Sequence, residues 1–297
     1  MSLVRVQPFR HIQYNFMDIN EYAAAKQRIL ARMVAALLHV FQQFMRGYMS
    51  ARDWDAAMQT TYRVMKPYRD QATELARRFH DDNRTAQTGD SVRHDVFKDD
   101  YFPEQWYRQT MRPVFQHAQE NRSAEDLVEE SVARVVKVVE DGARRTLIQA
   151  VQSDSSHVVR GFARFDPRPP TCAFCTMMIS RGPVYVNPNT GGWPFDTQRL
   201  EKALLEESPE KLSEMMNKWH PDCTCLVVPV YKYDNYPTLA QEQEAFDIYD
   251  RARKAVAKDL KVGQSKINTR LILNKMRELI YSKNLEQDAA NLGRNVA

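Results

Sequence analysis

All four cysteines of the 297-residue chain lie in two short segments. The first segment contains Cys172 and Cys175, and the second contains Cys223 and Cys225 together with His220. Thiolate sulfur and imidazole nitrogen are ligands that zinc prefers, and two cysteines separated by two residues can hold one ion from a tight turn. The spacing therefore predicts a structural zinc site that joins two distant segments.

The sequence offers five candidate ligands for the four positions around a tetrahedral zinc ion. We expect Cys172 and Cys175 to fill two of them. Two of the remaining three candidates, His220, Cys223 and Cys225, would complete the set. Of these combinations we favour His220 with one of the two cysteines. The choice stays open.

Other interpretations of the cysteines also stay open. They can be small buried hydrophobic residues, as free cysteines often are. A redox pair of Cys172 and Cys175 would normally accompany a βαβ pattern, which this sequence lacks. A catalytic zinc ion would need three protein ligands, a bound water and a nearby carboxylate, for which Asp222 is the neighbour in sequence. Iron–sulfur clusters normally use four cysteines at other spacings.

The composition is that of a helical globular protein. Hydrophobic residues make up 43% of the chain, charged residues 27%, and only 9 residues are glycine. The net charge of +4 is small for a dedicated nucleic-acid binder, although it permits non-specific contact with DNA phosphates. We find no apolar run of about 18 residues and therefore predict no membrane span. The N-terminus lacks the apolar core of a signal peptide, so we expect a reducing compartment, where clustered cysteines favour metal over disulfides.

Hydrophobic residues at three- and four-residue steps predict four long helices in the first part of the chain. Ser50 and Ser123 are expected to cap two of them, each with an aspartate three residues later. Pro67 is expected to bend or restart the second helix. A loop should follow the end of that helix. The four helices are predicted at residues 18–49, 50–84, 103–120 and 123–154.

The long helical periodicity ends at a proline-rich stretch at 165–170. The segment that follows has turns, short extended runs and one predicted helix near 197–208, and helical periodicity returns from Leu239. The sequence thus predicts a mainly α fold in three parts. These are a helical body at 1–160, a small α+β zinc-knuckle module at 161–236 and a helical C-terminal arm at 237–297.

Three sequence pieces carry a resemblance to a known family. They are RGFAR at 160–164, CAFCTMMISRGPVY at 172–185 and WHPDCTCLVVPVY at 219–231. In this order they resemble the cysteine–histidine region of MuF-like minor head proteins of actinobacterial phages. The helical first half resembles that family more loosely, and the insertion at 186–218 is longer than the family pattern implies.

The resemblance implies a virion component that acts in head assembly. It would lie at the portal or inside the capsid, after a period in the host cytoplasm. Its expected partners are the portal protein and the major capsid or scaffold protein. The resemblance implies no function for the insertion or for the C-terminal arm.

Some members of that family are labelled capsid maturation proteases, which gives an alternative function. A serine protease needs a serine, a histidine and an acid brought together. The chain has no GxSxG motif, and the adjacent Ser156 and His157 would not face each other in a helix. Most of the histidines are expected at the surface or at helix ends. Local sequence therefore gives the protease alternative no support.

Two basic runs are candidates for contact with DNA phosphates. They are Arg144-Arg145 and the run from Arg251 to Lys254. On amphipathic helices such runs are more often solvated faces, and we predict that both of these are.

Overall fold

A computed structural model describes the chain in nine segments. They are residues 16–44, 49–90, 102–120, 122–154, 160–167, 171–183, 225–233, 236–259 and 269–294. Within these segments the fold is mainly helical, as predicted, and contains one two-stranded sheet. The elements are α1 (Ile19–Phe44), α2 (Ala51–Thr88), α3 (Glu104–Gln119), α4 (Ala124–Ser153), β1 (Gly161–Phe165), α5 (Ala173–Ile179), β2 (Leu226–Val230), α6 (Leu239–Asp259) and α7 (Thr269–Arg294).

Two serines cap helices as the sequence predicts. The Ser50 side chain accepts a hydrogen bond from the backbone N–H of Asp53 at the start of α2. The Ser123 side chain accepts one from the N–H of Asp126 at the start of α4. Each serine is extended, and its hydroxyl satisfies an N–H that has no partner inside the helix.

The second helix is longer than predicted. It runs without interruption through Pro67 and continues past Arg84 to Thr88. Gly89 ends it with a left-handed backbone (φ 77°), and its N–H donates to the carbonyl of Thr85. The position that requires φ > 0 therefore sets the helix end, and the proline does not.

The long helices enclose the main hydrophobic core. Tyr22 of α1 stacks on Phe79 of α2, with ring centroids 4.4 Å apart. Fully buried side chains from all four long helices belong to the same core, among them Met33, Phe41, Met58, Tyr107, Leu127 and Val139. None of the helices in the described part of the chain has the length and apolar character needed to cross a bilayer.

The two strands pair antiparallel although about sixty positions separate them in sequence. Gly161 lies opposite Val230, and Phe165 lies opposite Leu226. All five residues of β2 are buried, because the strand packs against α4 and α2.

The C-terminal helices pack on the same core. Ala245 and Ala252 of α6 and Met276 of α7 belong to the hydrophobic cluster that includes the long helices. The side chain of Gln241 in α6 exchanges two hydrogen bonds with the backbone of Asp166, which follows β1. The division of the chain into three domains, with boundaries at residues 160 and 236, stays a prediction.

α7 continues through the polar sequence after residue 283 and ends at Arg294. The helix predicted near 197–208 and the insertion at 186–218 lie outside the described residues.

Candidate metal centre

The first cysteine pair lies at the start of a helix. Cys172 occupies the N-cap position of α5, and its sulfur accepts a hydrogen bond from the N–H of Cys175 at 3.3 Å. The pair thus lies where the chain enters a helix. An N–H donated to sulfur favours the thiolate, which is the form that binds metal. Cys172 is exposed, whereas Cys175 is buried.

The second segment reaches the same region through β2. Cys225 immediately precedes this strand, is fully buried, and belongs to the same hydrophobic cluster as Cys175. His220 and Cys223 lie outside the described residues, so the choice among the second pair of ligands stays a prediction. Within the described segments, no three Cys, His, Asp or Glu side chains form a group that could hold a metal ion. The sulfur donors present, one at a helix N-cap, fit a zinc site in chemistry.

The resembling sequence pieces contact one another in space. RGFAR contributes β1, LVVPV forms β2, and the two are hydrogen-bonded partners over five residue pairs. Arg164 of β1 is buried, and its guanidinium lies 6.0 Å from the ring centroid of Phe174 in α5. The described residues of the three pieces, at 160–165, 172–183 and 225–231, thus lie in neighbouring elements.

The turn after α5 is close to α6. Gly182 has φ 64°, and its N–H donates to the carbonyl of Ile179. The carboxylate of Glu242 lies so close that a Cβ built on Gly182 would be 2.5 Å from its Oε1. Burial raises the pKa of Glu242 above its ordinary value. Both the positive φ and the close packing of this turn favour glycine at position 182.

Beneath Cys225 lies a group of buried charges that the sequence did not reveal. Arg144 is 2% exposed, and its Nε donates to the backbone carbonyl of Cys225 at 3.1 Å. Its other nitrogens contact the carboxylates of Glu140 and Asp141. Glu140 in turn lies 3.0 Å from Nζ of Lys26 in α1. We call these four residues the Arg144 cluster.

The Arg144 cluster corrects one prediction. Arg144 and Arg145 were expected on a solvated face, yet both are buried. The guanidinium of Arg145 lies 5.8 Å from the ring centroid of Trp106, so each arginine has partners in another element. By contrast, Arg251, Arg253 and Lys254 of α6 are exposed, as predicted.

The charges of the cluster act on a neighbouring tyrosine. Burial raises the pKa of Tyr22 above its ordinary range, Glu140 raises it further, and Arg144 opposes both. The Tyr22 hydroxyl therefore stays protonated between α1 and α4.

A second set of contacts joins the end of β2 to α2. The side chain of Asn83 in α2 donates to the carbonyl of Pro229 at 2.9 Å, and the N–H of Tyr231 donates to Gln87. The Tyr231 hydroxyl lies 2.9 Å from Nε2 of His80. His80 is buried, in contrast to the surface position expected for most histidines. The side chains of Asn83 and Gln87 thus pair with backbone groups at the end of β2 that the two-stranded sheet leaves open.

Comparison with known proteins places the chain in a family. A family model described as "VG15 protein" matches residues 14–262, which include every element from α1 to α6 and all four cysteines. The chain belongs to the VG15 family. Only α7 lies outside the matched part of this VG15 protein.

Two curated VG15 relatives come from mycobacteriophages. The chain is 29% identical to the Gene 15 protein of Mycobacterium phage D29 over 247 residues, which cover 80% of this chain and 90% of that protein. It is 28% identical to the Gene 15 protein of Mycobacterium phage L5 over 261 residues, covering 81% and 88%. These matches support a phage protein family. No solved structure gives a significant match to this VG15 protein.

Proposed function

We propose that this VG15 protein is a minor head protein of the MuF-like kind, which acts in phage head assembly at the portal or on the inner face of the capsid. One observation carries the proposal: in a chain of a phage family, the described residues of the three resembling pieces form β1, α5 and β2, of which β1 pairs with β2 and contacts α5. Its partners would be the portal protein and the major capsid or scaffold protein.

The proposal includes a structural zinc ion. Cys172 and Cys175 would supply two ligands from the start of α5, and the segment that contains His220, Cys223 and Cys225 would supply the others. Zinc would link two segments that are distant in sequence and contribute on the order of 10 kcal/mol to the folding of the unit. The N-cap geometry of Cys172 and the burial of Cys175 and Cys225 support this assignment.

The location of the protein tests the assembly role. Purified phage particles and head intermediates would be separated and probed by quantitative mass spectrometry, with the portal and major capsid proteins as internal references. We expect the protein in heads in far fewer copies than the major capsid protein. Absence from both intermediates and mature heads would contradict the proposal.

Elemental analysis tests the zinc site separately. We expect about one zinc ion per chain in protein purified under reducing conditions. Replacing Cys172 and Cys175 together with alanine should remove it. Folded wild-type protein without zinc would overturn the metal assignment and leave the assembly role to be judged by location.

A further inference from the structure

The start of α6 packs against the turn that follows α5, and a carboxyl group lies between them. Glu242 is in the first turn of α6, and both of its carboxyl oxygens are close to Gly182. A Cβ built on Gly182 would be 2.5 Å from Oε1 and 2.7 Å from Oε2. The carboxyl group therefore fills the space that glycine leaves open in this turn.

Within the described residues, this carboxyl group has no partner that would stabilise a negative charge. Its Oε2 is buried and accepts no hydrogen bond. The hydroxyls of Tyr236 and Thr238, which precede α6, are also buried and have no hydrogen-bond partner in the described part of the chain, so neither donates to Glu242. A buried carboxyl oxygen without a donor favours the protonated form of the group.

The charged groups of the elements around Glu242 do not offset a negative charge there. α5 contains no charged residue, and Arg181 in the turn after it is exposed and does not pair with Glu242. Glu244 of α6 is paired with Lys283 of α7. Asp166, which follows β1, bonds through its backbone to the residue before Glu242 and brings no positive charge.

We propose that Glu242 makes the contact between α6 and the turn after α5 pH-sensitive: the neutral carboxyl group packs against Gly182, and loss of its proton loosens the start of α6. Neither the zinc site nor the assembly role is needed for this contact. The positive end of the helix dipole at the start of α6 favours a charge, but more weakly than burial of an oxygen without a partner opposes it.

The direction of the pH dependence follows from the environment of Glu242. Burial raises the pKa of Glu242 above its ordinary value of 4.5. The stabilising contribution of the neutral group is therefore fully present below about pH 4.5 and is lost as the pH rises through the folded-state pKa. The contact should be tightest in mild acid.

Hydrogen exchange of the full-length protein, followed by NMR, measures this contact. The backbone N–H of Gly182, which donates to Ile179, and that of Glu242, which donates to Thr238, report on its two sides. After correction for the intrinsic effect of pH on exchange, both should exchange about 5-fold faster near pH 7.5 than near pH 4.5, which is the lower end of the cost of a buried polar atom without a partner.

Glu242→Gln keeps the shape of the side chain and is neutral at every pH, so its exchange should lose this pH dependence. The matched control is Glu244→Gln on the same helix, because the Glu244 side chain is 59% exposed and pairs with Lys283. It should behave like the wild type. The proposal is overturned if Glu242→Gln keeps the pH dependence of the wild type or if both variants lose it equally.

Carbon-13 NMR of the glutamate carboxyl groups tests the wild type directly, whatever the variants do. The Glu242 signal should titrate above the ordinary 4.5. Titration at or below that value would overturn the proposal, since the carboxyl group would then already be charged in the packed state.

Discussion

The hydroxyl of Tyr231 lies 2.9 Å from Nε2 of His80, and this contact joins the residue after β2 to the C-terminal third of α2. Both side chains are almost completely buried. Burial raises the pKa of Tyr231 above its ordinary range, and the nearby Asp154 raises it further, so the contact is a hydrogen bond of a neutral hydroxyl.

Tyr231→Phe should lower the free energy of unfolding by about 1–2 kcal/mol, because a buried imidazole nitrogen loses a partner. Chemical denaturation of both proteins measures the difference. The control is Tyr281→Phe, since Tyr281 is 66% exposed and its change should stay within about 0.5 kcal/mol. Equal stability of the two variants would show that the His80 contact contributes nothing.

Gly182→Ala should destabilise the protein more than Gly89→Ala. Both glycines have positive φ, which costs an alanine about 1–2 kcal/mol. A Cβ at Gly89 would meet nothing within 4 Å, whereas one at Gly182 would clash with Glu242. The carboxylate is the end of a flexible side chain and can move aside, so we expect an additional loss of about 0.5–1.5 kcal/mol, the cost of a strained rotamer.

A double-mutant cycle with Glu242→Ala isolates the steric part of that loss. In the Glu242→Ala background, Gly182→Ala should cost about as much as Gly89→Ala does alone. A coupling energy near zero between positions 182 and 242 would argue against the close approach.

Removing zinc should lower the melting temperature, because the metal would contribute on the order of 10 kcal/mol to folding of the unit. Calorimetry with and without a chelator measures this. Zinc should restore the original transition, and magnesium should not, since thiolates bind it poorly. Identical melting curves in the presence and absence of chelator would count against a structural metal.

The protein should lose stability in acid in part because Glu130 becomes protonated. Burial alone would raise the pKa of Glu130, but hydrogen bonds from His117 and Arg134 outweigh it and lower the pKa below the ordinary 4.5. Its stabilising contribution is therefore present above about pH 4.5 and is lost as the pH falls through the lower folded-state pKa.

Glu130→Gln should show a smaller loss of stability on acidification than the wild type, measured by denaturation at a series of pH values. Its neighbour Glu129 is exposed and provides the control. If Glu129→Gln and Glu130→Gln respond to acid in the same way, the contacts of Glu130 do not matter for acid stability.

The helix caps could be predicted because they depend on neighbours in sequence. Ser50 and Ser123 each need only an N–H three residues later, and both cap as expected. The long hydrophobic helices are predictable for a similar reason, since their periodicity repeats over many turns. The ends of helices are harder to predict from sequence. In α2 it is Gly89 and not Pro67 that decides where the helix stops.

The surroundings of the candidate site depend on partners far away in sequence. Arg144 reads as a surface residue until Lys26 and Cys225 are placed beside it. The strand β1 was not predicted, because its five residues gain their hydrogen bonds only by pairing with β2. The zinc site stays a prediction, and the helix that follows Cys172 becomes visible only in the fold.

The pairing of β1 with β2 also bears on how the family can change in length. The chain leaves the sheet at Phe165 and returns to it at Leu226, and both points are fixed by partners in the core. Closing a connection twice as long costs only about 0.6 kcal/mol more. We therefore expect related phages to gain or lose residues within 186–218 while the rest of the protein keeps its shape, which makes this stretch a natural place for each lineage to acquire contacts of its own.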